Sequence, residues 1–138
     1  MQLNFSIKEL CASSTATRLG ISNTPSIAVS DNLMLLIVNT LQPLRNALKK
    51  PVIISSGYRC EKLNKYIGGV TNSQHCKGQA ADISVVGMSI DKLFDFIKHA
   101  DIVYDQLIHE GTWIHISFSK ENNRRENLKV VNGKYLKA

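Results

Sequence analysis

A carboxylate interrupts a run of small apolar residues. Ala80-Ala81-Asp82-Ile83 sits inside Gln79 to Val85, which alternates as a β-strand does. An ionised group among such neighbours is strongly unfavourable unless a partner is brought to it. The fold must therefore deliver a cation or a set of donors to Asp82. That demand limits which other segments can lie beside this strand.

Two further segments supply candidates. His75 precedes the strand in a loop that opens at Gly68-Gly69 and closes at Gly78, where a residue without Cβ permits a sharp turn. An imidazole nitrogen and a carboxylate oxygen are both good zinc ligands, at roughly 2.0–2.2 Å. Downstream lies Glu110-Gly-Thr-Trp113-Ile-His115-Ile-Ser117. A two-residue turn at Gly111-Thr112 pairs Glu110 with Trp113 and Ile108 with His115. Alternation then puts Gln106, Ile108 and Glu110 on one face with Trp113, His115 and Ser117. Glu110 and His115 become diagonal neighbours. Three protein ligands, His75, Asp82 and His115, would hold one zinc ion and leave a position open, which is the pattern of catalytic sites. Glu110 fits a general base that takes a proton from the attacking water and returns it to the leaving amine. Arg59, at the exit of the strand Val52–Ser55, fits a donor to the scissile carbonyl as its oxygen turns negative. Ser73, Gln106 and Trp113 are the candidate substrate contacts.

Composition removes several classes. At 43% hydrophobic and 20% charged, the 138-residue chain is a globular protein, not a disordered one. Its net charge of +6 favours an anionic partner without naming one. No arginine-rich tract or interleaved aromatic platform argues for nucleic acid, so none is expected. Cys11, Cys60 and Cys76 have no CxxC spacing and do not make a disulfide framework. The first ten residues lack the basic and apolar regions of a signal peptide. The apolar run from Leu33 to Val38 is too short to span a bilayer. A cytoplasmic, monomeric product is expected.

The chain reads as one domain over 1–138. Phe5 to Ser13 forms a short helix capped by Ser6, and Thr15 to Ala28, with Pro25, forms loop and turn. Ser30 and Asp31 start the longest helix, whose apolar stripe is Leu33, Ile37, Leu41, Leu44 and Leu48. Pro43 should kink or weaken it locally, and Pro51 stops it. Val52–Ser55 is a short buried strand and Glu61–Tyr66 a helical turn. Ser89 caps a helix ending near Ala100. Asp105–Glu110 and Trp113–Phe118 form a hairpin. Asn132-Gly133 turns a second, basic one within 120–138. Helices come early and strands late, so an α+β fold with a small, mostly antiparallel sheet and helices on one side is expected.

In order along the chain stand Ser55-Ser-Gly57-Tyr-Arg59, Leu63-Asn64, Gly68-Gly69, Ser73-x-His75-x2-Gly78-x-Ala80-x-Asp82 and Trp113-x-His115. Together they resemble the zinc D-Ala-D-Ala carboxypeptidases, in the superfamily that includes lysostaphin-type peptidases and the hedgehog signalling domain. The resemblance covers about residues 30 to 119 and extends to the short, signal-less subgroup of phages and bacteria that includes endolysins. It implies zinc at His75, Asp82 and His115, Arg59 on the substrate carbonyl, and peptidoglycan stem peptides or crosslinks as substrate. The carboxypeptidase and D,D-endopeptidase activities both stay open. An L-alanyl-D-glutamate endopeptidase and a catalytically inactive wall-binding module of the same fold are the alternatives. Such an enzyme would reach the wall after release, for instance by phage lysis.

The chain also departs from that family. Many relatives have His-x-His where Trp113-Ile114-His115 stands. Others place the acidic base where Thr112 stands, three residues before the last ligand. Asp105 is then the fallback for Glu110, although alternation turns it away from His115. Cys76, next to His75, would close the site as a fourth ligand, a reading set aside in favour of the open three-ligand site. His99 reads as a surface residue, and His109 and Tyr58 as structural ones.

Overall fold

The computed structural model describes residues 2–138. Its sheet has six strands: β1 (Ile53–Ser56), β2 (Ala80–Ser84), β3 (Gln106–His109), β4 (Ile114–Ser117), β5 (Glu126–Val131) and β6 (Lys134–Lys137). The spatial order is β1-β2-β4-β3-β5-β6. Every neighbouring pair is antiparallel except β3 with β5. That parallel pair arises because the chain leaves β4, hops over the start of β3 and re-enters on its far side. The helices are α1 (Ile7–Cys11), α2 (Ser14–Leu19), α3 (Ile27–Leu36), α4 (Gln42–Leu48), α5 (Glu61–Tyr66) and α6 (Ile90–His99). This is the α+β architecture expected.

One face of the sheet is apolar. Ala81, Ile83, Leu107, Ile114 and Ile116 pack with Leu33, Leu36, Ile37, Leu41 and Leu44 of the long helix and with Leu93 and Ile97 of α6. The opposite face carries Asp82, His115 and Ile108, which pair side by side across β2, β4 and β3. Ile108 faces His115, as the two-residue turn requires.

Several local readings need correction. Ser14–Leu19 is a helix, not loop: the Ser13 hydroxyl caps it and Gly20 ends it in the left-handed region at φ 67°. The long helix starts at Ile27 with Ser26 as cap, earlier than Ser30, because Pro25 can stand just before a cap. Pro43 disturbs it locally, as expected. A π-helical turn over Ile37–Leu41 precedes Pro43 and absorbs the missing N–H. The continuous stretch Ile27–Leu48, 22 residues, is long and apolar enough by length and composition to cross a membrane, so the short-run argument does not hold. What marks it as a core helix is that Leu33, Leu36, Ile37, Leu41 and Leu44 are fully buried against the sheet. Strand β1 is not buried. It is a sheet edge with Ile53 exposed.

Candidate metal centre

Three segments meet over the polar face of the sheet. The 3-10 turn Gln74–Lys77 presents His75, and Ser73 caps it by accepting from the His75 N–H at 3.2 Å. Gly78 ends the turn at φ 73°. A Cβ there would run into the Val29 carbonyl, so only glycine fits comfortably. Strand β2 presents Asp82 and β4 presents His115, directly paired in register. One ligand atom from each of His75, Asp82 and His115 lies within 4.8 Å of the others.

The protonation pattern leaves a gap that a cation fits. His75 Nδ1 lies 2.8 Å from the Gly57 carbonyl, which can only accept, so Nδ1 carries the hydrogen. In the neutral ring Nε2 then holds a lone pair, and it faces Asp82 Oδ1 at 3.1 Å. His115 Nδ1 is 3.6 Å from the same oxygen, while its Nε2 is buried with no hydrogen-bond partner. Two donors about 2.05 Å from a tetrahedral ion stand roughly 3.3 Å apart, and the observed separations bracket that value. The donor set and the backbone carbonyl orienting His75 both suit zinc. Among the described residues, Cys76 is not part of this group, so no fourth protein ligand closes it. Burial pushes the Asp82 carboxyl up, but the imidazoles of His115 and His75 beside it outweigh this and hold the group far below the usual carboxylate range.

Arg59 has a second role that its position alone did not reveal. Its guanidinium donates Nε to Ser56 Oγ at 3.1 Å, Nη1 to Asn64 Oδ1 at 3.0 Å and Nη2 to Asp82 Oδ2 at 3.4 Å. It therefore braces the aspartate's outer oxygen while two N–H groups stay free. Asn64 is buried and is itself anchored by donating to the Val70 carbonyl at 2.9 Å. Its position in Leu63-Asn64 was visible, but not its bracing role, because the partners are distant in the chain.

A cleft of about 500 Å³ opens over the cluster. Arg59, Ser73, Gln106, Glu110 and Trp113 all line it. The Glu110 N–H donates to the Trp113 carbonyl at 3.0 Å, closing the turn. Burial pushes the Glu110 carboxyl up, and neighbouring Asp82 adds to this, while His115 and Arg59 oppose it. Gln106 Nε2 donates to Glu126 at 2.7 Å. Asp105 is occupied elsewhere: Arg124 donates to it from Nε and Nη2 at 2.8 Å, and Gln74 Nε2 at 2.8 Å. It is buried and committed as a structural link. His109 is buried between Asp91, at 2.6 Å, and the Gly111 N–H, at 3.2 Å. His99 is exposed at the end of α6, and half-buried Tyr58 packs on the core.

A model of the family described as peptidase M15 matches residues 3–117. The chain belongs to the peptidase M15 family. This is the family of the zinc D-Ala-D-Ala carboxypeptidases, whose members are in general zinc-dependent. Comparison with curated proteins gives no match. The M15 segment contains every cluster residue, with Arg59, Asn64 and Glu110, and it stops at the end of β4.

Proposed function

We propose that this M15 peptidase is a zinc enzyme that hydrolyses D-amino-acid-containing stem peptides or crosslinks of peptidoglycan, as an endolysin does. The observation that carries the reading is the convergence of His75, Asp82 and His115 at the floor of a cleft that also holds Glu110 and Arg59. When bound, zinc supplies Lewis acidity, which polarises a carbonyl and brings the ionisation of water near neutrality.

The chain's own groups do the rest. Glu110 takes the proton of the attacking water as its oxygen bonds to the scissile carbon. The C–N bond then breaks, and Glu110 returns the proton to the amine. A carboxyl raised by burial suits both halves of that task. The free N–H groups of Arg59 hold the carbonyl oxygen as it becomes negative. Their bracing by Ser56 and Asn64 means little reorganisation is needed at that moment. Ser73 still has its hydroxyl hydrogen to donate to the peptide, and Trp113 and Gln106 form part of the walls.

The test is incubation of purified protein with intact muropeptides, with and without a chelator, and identification of new termini by mass spectrometry. The expected result is cleavage beside a D-amino acid that the chelator abolishes. Cleavage between L-alanine and D-glutamate would reassign the bond. Binding without any new terminus would make the protein an inactive wall-binding module.

A further inference from the structure

The cleft has a wall from beyond the M15 segment. Strands β5 and β6 follow the last matched residue, Ser117. Ile108 pairs with Leu128 across the parallel ladder, and Val130 pairs with Tyr135 in the terminal hairpin. Alternation therefore turns Leu128, Val130 and Tyr135 toward the face that carries His115 and Glu110. Leu128 and Tyr135 both line the cleft. Burial, and after it the carboxylates of Glu110 and Asp82, push the Tyr135 phenol up.

The strand order gives the cleft a direction. Arg59 follows β1 at one end, the metal cluster sits on β2 and β4 near the middle, and Tyr135 stands on β6 at the other end. A peptide laid across the strands with its scissile carbonyl at Arg59 runs over Ile108 and Leu128 toward Tyr135. Tyr135 is 57% exposed, and this open aromatic surface faces the cleft, whereas Leu136 beside it points to the other side of the sheet. Apolar Ile108 and Leu128 with one aromatic ring suit aliphatic carbon, and the phenol suits a carbonyl oxygen.

We propose that the terminal β5–β6 hairpin is the specificity wall of the cleft, with Tyr135 touching the substrate on the side away from Arg59. Its ring covers an aliphatic segment of the peptide and its hydroxyl donates to a peptide carbonyl. The inference rests on the reading of the cleft as a peptidase site.

The experiment compares zinc-loaded wild type with Tyr135→Ala, Tyr135→Phe and Leu136→Ala on disaccharide-pentapeptide and crosslinked muropeptides. Trp113 is the only tryptophan and lies in the same cleft, so its emission reports binding of intact peptide or of its cleavage products. Tyr135→Ala should raise KM, and the dissociation constant of the products, about tenfold, with kcat nearly unchanged and zinc content intact. Tyr135→Phe should fall between it and wild type, and Leu136→Ala should match wild type. Wild-type behaviour of Tyr135→Ala overturns the inference, as does an equal loss in Leu136→Ala, which would mark a general weakening of the hairpin. A wild type that cleaves nothing but binds muropeptide, with binding weakened by Tyr135→Ala, would refute the peptidase reading and keep the wall. A wild type that neither cleaves nor binds removes both.

Discussion

Asp82 has two oxygens and three neighbours, and the division between those oxygens sets what each substitution does. Oδ1 faces both imidazoles, and Oδ2 faces Arg59. Asp82→Asn keeps the shape but removes the charge, so zinc content after dialysis should fall, as it should in His75→Ala and His115→Ala. Elemental analysis of the purified variants checks this. Arg59→Lys should retain zinc yet lower kcat about a hundredfold, because a point charge on a flexible stem cannot replace a braced planar donor. Steady-state kinetics beside metal content separates the two effects. At this scale much was legible beforehand. A carboxylate in a small apolar strand, an imidazole in a glycine-bearing loop and a second imidazole placed by strand alternation are local signals. The Gly57 carbonyl that fixes the His75 tautomer and the Asn64 amide that braces Arg59 were not, because each acts through a contact far along the chain.

The elements differ in how far local chemistry decides them. Ser6 and Ser89 cap helices where expected, and Asn132-Gly133 turns a hairpin between the expected strands. Each signal is complete within a few residues. The misread segments are those where packing decides. Ser14–Leu19 has too few apolar residues to show a period, and the start of the long helix at Ile27 lies ahead of its apolar stripe. Glycines separate local from packed constraint too. Gly20 and Gly78 both have positive φ, but a Cβ on Gly20 meets open space and one on Gly78 meets Val29 and Leu33. Gly20→Ala should cost about 1 kcal/mol. Gly78→Ala should cost more, about 2–3 kcal/mol, and should also weaken zinc binding by displacing the turn that carries His75. Urea denaturation of both variants, with zinc titration, tests the contrast.

For the molecule as a whole, Asp105 is the joint. It ties the return segment through Arg124 and the His75 turn through Gln74 to the start of β3. Hydrogen bonds from Arg124 outweigh burial and hold its carboxyl at about 2, below the ordinary 3.8. A depressed carboxyl stabilises the fold above the unfolded value and loses that contribution as pH falls toward about 2. Wild type should therefore be more stable than Asp105→Asn near neutrality, and the gap should close as acid is added, as thermal unfolding across that range would show. Zinc should act on the same equilibrium, since the three ligands are assembled only when folded. At a hundredfold excess over its dissociation constant it should add about 2.7 kcal/mol, read as a rise in Tm that a chelator reverses. This level was the least legible, because the hop over β3 and the parallel pairing it creates depend on contacts between distant residues.

That hop has a consequence for biosynthesis. Until residues 126–137 leave the ribosome, β3 has no neighbour on one side, and its backbone groups form an open ladder beside buried Leu107 and Ile108. A nascent or prematurely terminated chain would offer that ladder to any other copy nearby. Residues 126–137 then shield the strand they cover, and removing them should yield inclusion bodies rather than a merely less selective enzyme.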